Sequence, residues 1–190
     1  MKILKKNPLS FLLAIACVVL FISCKTQTRK GANGVTYHTA QEYNDYIVGR
    51  QTKLVERVMD FVKASQTDLD AAEVLLDTCV KETHQMVTEI KGMPPFKNDT
   101  TLRDAAVSIF GFYERIFDKD YRDLIHLRKE QDGTSMEIEN SIQGIVAKVT
   151  EEEKGFDIRF RTAQQAFATK NKLLLQENDI QKKIKRGVEN

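Results

Sequence analysis

Proline placement limits this chain more than any other feature, because there are only three prolines in 190 residues and two of them are adjacent, Pro94 and Pro95. A proline inside a helix removes a backbone donor and collides with the preceding turn. The long stretches on either side of this pair are therefore free to be helical. From Thr39 onward they carry apolar residues at helical spacing almost without interruption.

A first helix is predicted over residues 39–64, where Ala40, Asn44, Ile47, Gln51, Leu54, Val58 and Phe61 recur at alternating steps of four and three and so share one stripe. Ser65, Gln66 and Thr67 read as a short break, with Thr67 or Asp68 as the N-cap of a second helix over residues 68–91. Its stripe is Leu69, Ala72, Leu76, Val80, Thr83, Val87 and Ile90, and Gly92 is predicted to take a left-handed cap ahead of the proline pair. A third helix starts at Asp99 or Thr100, reaches to about residue 131 and has the most aromatic face: Leu102, Ala106, Ile109, Phe110, Tyr113, Ile116, Phe117, Leu124 and Leu127. Gly133 closes it, and Thr134 or Ser135 opens a fourth helix with Ile138, Ile142, Ile145, Val149, Phe156, Phe160, Ala163 and Phe167 inward.

Four amphipathic segments on short connections predict an all-α fold, an antiparallel up-down-up-down four-helix bundle over residues 39–178. The fourth helix is expected to reach beyond Leu175. Continued to Lys183 it would span more than about 70 Å, so its end should protrude or fray. Leu173, Leu174 and Leu175 cover too many directions for one stripe, and either pack on the bundle end or meet another protein. The last segment, residues 179–190, is a basic tail with Lys182, Lys183, Lys185 and Arg186.

The chain begins with Lys2, Lys5 and Lys6 and no acid, followed by an apolar run over residues 9–22. That is the layout of a secretory signal, and the run is shorter than the about 20 residues a membrane-spanning helix needs. Phe21-Ile22-Ser23-Cys24 resembles the lipobox of bacterial lipoproteins, with Phe21 where leucine is usual. The resemblance implies residues 1–23 as a cleaved lipoprotein signal peptide and Cys24 as the lipid-attachment residue. Residues 24–38 contain two glycines in "GANG" and no apolar period, which predicts a flexible tether spanning about 20 Å.

Removing the leader changes the charge balance, since it holds three of the 29 basic residues and none of the 27 acidic ones. The apparent basicity thus belongs to targeting and gives no support for nucleic-acid binding. Of the three cysteines, Cys17 leaves with the leader and Cys24 is lipidated, so Cys79 has no intrachain partner and reads as a buried, inert thiol.

Catalytic patterns are missing from the sequence: no phosphate-cradling glycine loop, HExxH pair or nucleophile elbow occurs. The nearest approach to a metal-ligand pair is Asp123 and His126, spaced i, i+3, and a surface ion pair is the better reading. Asn44 and Gln51 interrupt the first stripe and read as register-setting amides. The alternative is a small-molecule or metal-binding bundle whose polar pocket is lined by Tyr43, Asn44, Gln51 and the third-helix Tyr113.

A further resemblance is carried by "YNDYIVGRQ", by "PPFKND" with the following "LRDAAVSIFGFYERI", and by "AQQAFATKN". In order and spacing these are similar to an uncharacterised family of helical surface lipoproteins found among Bacteroidetes-like and spirochaete-like bacteria. The resemblance implies a lipid-anchored helical bundle and supplies no activity, cofactor or site residue. The combined expectation is a non-enzymatic, cofactor-free scaffold or binding module, held to the membrane by acylated Cys24 and serving an envelope protein or polymer. Surface-exported lipoproteins in some bacterial groups carry acidic residues just after the cysteine, and basic ones follow Cys24; that comparison implies an outer-membrane position facing the periplasm ahead of the cell surface.

Overall fold

The computed structural model describes residues 30–130 and 135–175. Five helices follow one another: α1 (Ala40–Thr67), α2 (Leu69–Lys91), α3 (Thr101–Asp118), α4 (Asp120–Glu130) and α5 (Met136–Asn171). α3 and α4 together take the place of the third helix read from the sequence, so the fold is an all-α bundle with four helical legs. No strand occurs among the described residues; Lys30 and Thr36 form one isolated bridge, and Phe96 and Asp99 another. The leader, Cys24, the Gly133 connection and the basic tail lie outside the described residues.

Local chemistry explains where the first helices start and stop. Thr39 caps α1, its hydroxyl accepting from the Glu42 amide at 3.1 Å, while the Glu42 carboxylate accepts from the His38 amide at 2.8 Å. Asp68 alone joins α1 to α2. Its amide closes α1 on the Ala64 carbonyl, and its carboxylate accepts from the Asp70 and Ala71 amides, both at 3.0 Å. The break expected at residues 65–67 is therefore helical, and one extended residue makes the whole turn.

Burial follows the predicted stripes. Ala72, Leu76, Thr83, Val87 and Ile90 are buried on α2, joined by Cys79 and Met86; Leu102, Ala106, Ile109, Phe110, Ile116 and Phe117 are buried on α3, joined by Phe112. Val149, Phe160, Ala163 and Phe167 are buried on α5. On α1 the stripe deepens at Tyr43 and Asn44, while Gln51 and Val58 stay half-buried.

Ion pairs flank these seams and fix their register. Along α1, Arg50 meets Glu89 at 2.6 Å and Arg57 meets Glu82 at 3.0 Å. Along α2, Asp70 meets Lys129 at 2.6 Å, Asp77 meets Arg122 at 2.9 Å and His84 meets Glu114 at 2.7 Å. Along α5, Lys148 meets Asp120 at 2.6 Å, Glu152 meets Arg115, and the Tyr113 hydroxyl donates to Glu153 at 2.6 Å. In each series one residue number rises as the other falls, the order that oppositely directed neighbours give. The solvent-exposed pairs among these contribute about 0–1 kcal/mol each, so apolar burial carries most of the stability.

Further features depart from the sequence reading. The third helix breaks at Lys119 without glycine or proline; directly after the break Asp120, 3 % exposed, is held by Arg115 at 3.0 Å and by Lys148 of α5. Next, α5 stops at Asn171 rather than beyond Leu175. Lys172 takes a left-handed conformation, its amide and that of Leu173 close on the Thr169 and Ala168 carbonyls, and Leu173 packs against the core. Leu174 instead stands 87 % exposed.

The last departure is at the N-terminal side, where residues 30–38 are folded rather than a free tether. The Gly31 amide donates to the Val35 carbonyl at 2.8 Å and the Asn33 amide to the Gly92 carbonyl at 3.2 Å. Asn33 also donates from its side chain to the buried Tyr37 hydroxyl at 2.7 Å. A Cβ on Gly92 would lie 2.7 Å from the Asn33 nitrogen, and one on Gly31 would lie 2.5 Å from the Gly92 oxygen. Gly92 is thus required by this close approach, and its φ of −74° is right-handed rather than the predicted left-handed cap.

Phe117 is fully buried between α3 and its neighbours, stacking near Tyr113 and Tyr121. Phe117→Ala should lower unfolding stability by about 3–5 kcal/mol. Denaturant titration measures this directly, and a variant as stable as the parent would show that the inner face of α3 is misassigned.

Candidate functional site

The four residues expected to line a pocket do not converge. Asn44 is buried on α1, and its side-chain oxygen accepts from Gln164 of α5 at 2.9 Å. Tyr113 reaches the same helix at Glu153. The two α5 partners are eleven positions apart, which separates these contacts by about 16 Å. Gln51 is half-buried midway along α1. Asn44 is therefore a core amide with a partner, the register-setting role read for it from its place in the stripe. Gln164 and Glu153 carried no sequence signal, because ordinary surface residues have the same spacing.

Burial next to a carboxylate gives Tyr113 a phenol pKa far above the ordinary range, so it is a permanent donor to Glu153. Cys79 lies buried with its sulfur 3.8 Å from the Arg57 carbonyl oxygen, and burial pushes its thiol up to about 11. A protonated, enclosed thiol is a poor nucleophile. Asp123 and His126 are both exposed and do not pair; His126 faces Glu130 at 3.9 Å instead. Among the described residues no group of three or more His, Cys, Asp or Glu side chains is arranged to hold a metal ion.

A hollow of about 240 Å³ between α1 and α2 is lined by Gly49, Arg50, Lys53, Glu82, Gln85, Met86 and Glu89. Its charges already answer one another: Arg50 pairs with Glu89, Lys53 with Glu82, and Gln85 donates to Glu89 at 2.8 Å. A charged ligand would have to replace these pairs, so the hollow has little free polarity to offer.

The densest chemistry is at one pole, where α1 and α3 begin and α2 and α5 end. Tyr43, 1 % exposed, sits at its centre with ring centroids 5.1 Å from Tyr37, 5.4 Å from Phe96 and 5.5 Å from Phe167. Its hydroxyl is enclosed with no hydrogen-bond partner among the described residues, and burial pushes it up to about 12. Tyr37 also meets Tyr46 edge-on, and the Arg50 guanidinium lies over the Tyr46 ring at 3.3 Å. Folded residues 30–38 and the 92–99 loop complete this aromatic plug. Sequence reading found Tyr43 but not Tyr37, which lay inside the stretch read as tether.

In the same loop, Lys97 and Asn98 adopt left-handed backbone conformations, with φ of 50° and 64°, and Phe96 and Asp99 exchange backbone hydrogen bonds around them. Asp99 then joins the loop to two helices. It accepts from Lys170 of α5 at 2.6 Å and from the Thr101 amide at 2.9 Å, capping α3. Scans against protein-family models, curated proteins and solved structures give no match to this chain.

The contacts from Lys170 and from the Thr101 amide hold the Asp99 carboxyl down at about 2, against an ordinary 3.8. A carboxyl with a depressed folded pKa contributes stability above its unfolded value, and that contribution is lost as pH falls through the folded one. Asp99→Asn should therefore be less stable than the parent near neutral pH, with the gap closing as pH falls from about 4 toward 2. Unfolding measured across that range checks this; a gap that stays constant with pH would contradict the ion-pair assignment.

Proposed function

We propose that this chain is a lipid-anchored helical module of the bacterial cell envelope, acting without catalysis as a scaffold or binding partner for an envelope protein or polymer. The observation that carries the reading is the lipobox-like Phe21-Ile22-Ser23-Cys24, which precedes Lys30 of the described fold by six residues. A lipobox-like cysteine stands directly ahead of a bundle pole that is folded shut by the next segment. Among the described residues no helix is long and apolar enough to cross a membrane, and attachment through Cys24 would make such a helix unnecessary.

The non-catalytic reading is supported by how the reactive side chains are used. Cys79 is enclosed, His84 is engaged by Glu114, and His126 faces Glu130 at 3.9 Å. Partner recognition then falls to the outer faces of the bundle. The basic residues just after Cys24 favour an outer-membrane position facing the periplasm.

Cys24→Ala should abolish acylation and membrane fractionation while leaving helical content and unfolding unchanged. Mass spectrometry of the mature N-terminus and fractionation of the producing cells check both halves. Persistent lipid labelling of the variant would overturn the anchor.

A further inference from the structure

The pole that carries the aromatic plug differs from the opposite one in charge and in surface. Around it stand exposed Lys30, Lys91, Lys97 and Lys172. Lys170 is there too, paired with Asp99. The exposed acids of the first turns at this pole are fewer: Glu42 and Asp45 of α1, and Asp104 of α3, which pairs with Arg103. Exposed Leu174 and Leu175 follow directly after Lys172, at 87 % and 39 %. At the other pole, where α1 and α4 end and α2 and α5 begin, acids predominate: exposed Asp68, Asp70, Glu130, Glu137 and Glu139 outnumber Lys63 and Lys129. The bundle is thus electrically polar along its length.

Backbone conformation adds an independent observation. Lys97 and Lys172 both hold left-handed φ values, an arrangement unfavourable for a side chain with a Cβ by about 1–2 kcal/mol. They are neighbours, since the Lys97 ammonium donates to Asn171 at 3.3 Å. Two left-handed lysines thus stand at the same pole, one on a loop whose side chain touches the residue before the other, with two exposed leucines shortly after the second. Non-glycine residues in this region tend to concentrate where binding uses them.

Chain connectivity decides what this surface can meet. Cys24 precedes Lys30 by six residues, which span at most about 20 Å even when extended. The sequence after Leu175 carries Lys182, Lys183, Lys185 and Arg186. A bilayer holding the Cys24 acyl chains would keep this pole close by and leave the acidic pole pointing away.

We propose that this pole, through Lys97, Lys172, Lys91 and Lys30 with Leu174 and Leu175, is a docking face for an anionic phospholipid surface. The proposal rests on the reading of Cys24 as acylated, because the anchor determines which pole is presented. Lysines near such a surface are attracted by its negative potential, and apolar side chains among them enter the headgroup region. Docking would orient the bundle upright, with the ends of α1 and α4 and the start of α5 farthest from the membrane.

The test uses the full chain, processed in a bacterial host and reconstituted in phosphatidylcholine vesicles with or without phosphatidylglycerol. A fluorophore is placed on Leu175→Cys or, at the far pole, on Gln66→Cys, and quenched by nitroxide-labelled headgroups. The expected result is strong quenching at position 175 only, requiring phosphatidylglycerol and weakened by salt. K97Q/K172Q should reduce the docked-to-undocked ratio about 25-fold, at about five-fold per cation, and Leu174→Gln should reduce it further with helical content unchanged. Equal quenching at both poles, or quenching indifferent to phosphatidylglycerol, would overturn the docking face while mass spectrometry still reported an acylated Cys24. A chain without acyl mass would refute the anchor instead. Salt-sensitive co-sedimentation of that chain with phosphatidylglycerol vesicles, lost in K97Q/K172Q, would then support the docking face alone, and failure to co-sediment would overturn it.

Discussion

Burial of the apolar face of α3 is the interaction on which the rest of the bundle depends. α3 packs along both α2 and α5, whereas α1 and α5 meet only locally, through contacts such as Asn44 with Gln164 and Tyr43 with Phe167. With Phe110, Ile116 and Phe117 inside, α3 takes part in the seams with both α2 and α5. Burying a large apolar side chain contributes about 1.5–3 kcal/mol, far more than any of the exposed ion pairs at the seam edges. Those pairs set which residues face one another; the aromatic and aliphatic side chains hold the helices together.

The plug at one pole depends on that framework. Tyr43 is brought to Phe96 and Phe167 only because α1, the loop before α3 and the end of α5 arrive at the same place. The segment at residues 30–38 then closes over it, Tyr37 against Tyr43 and Tyr46, with its backbone laid on Gly92. This shortens the chain available between the proposed lipid and the folded domain. A tether to residue 38 would have let the bundle drift and tumble; a chain folded from residue 30 restricts both distance and orientation.

Features set by local periodicity were legible in the amino-acid sequence, and features set by distant partners were not. Ala72, Leu76, Thr83, Val87 and Ile90 announce their buried stripe by spacing alone. The end of α2 at Lys91 was legible from Gly92 and the prolines, although Gly92 serves a close backbone approach and not a left-handed turn. By contrast, the break at Lys119 is accompanied by a buried carboxylate whose partner Lys148 lies 28 residues away. The stop at Asn171 uses a lysine where glycine is usual, and Tyr37 is buried by residues of α1. Of the candidate site, Asn44 was legible as a core amide and Tyr43 as an interesting aromatic, but the partners that give them their roles lie on other helices.

Hydrogen exchange at the backbone amides of Gly31, Asn33 and Gly34 tests most directly whether the bundle is held close to the proposed anchor. These amides donate to the Val35, Gly92 and Gly31 carbonyls respectively. In the full chain they should exchange slowly, together with the amides of the neighbouring α2 terminus. Exchange at the rate of an unstructured peptide would contradict the account, because the domain would then begin only at α1 and hang from a long, unrestrained tether.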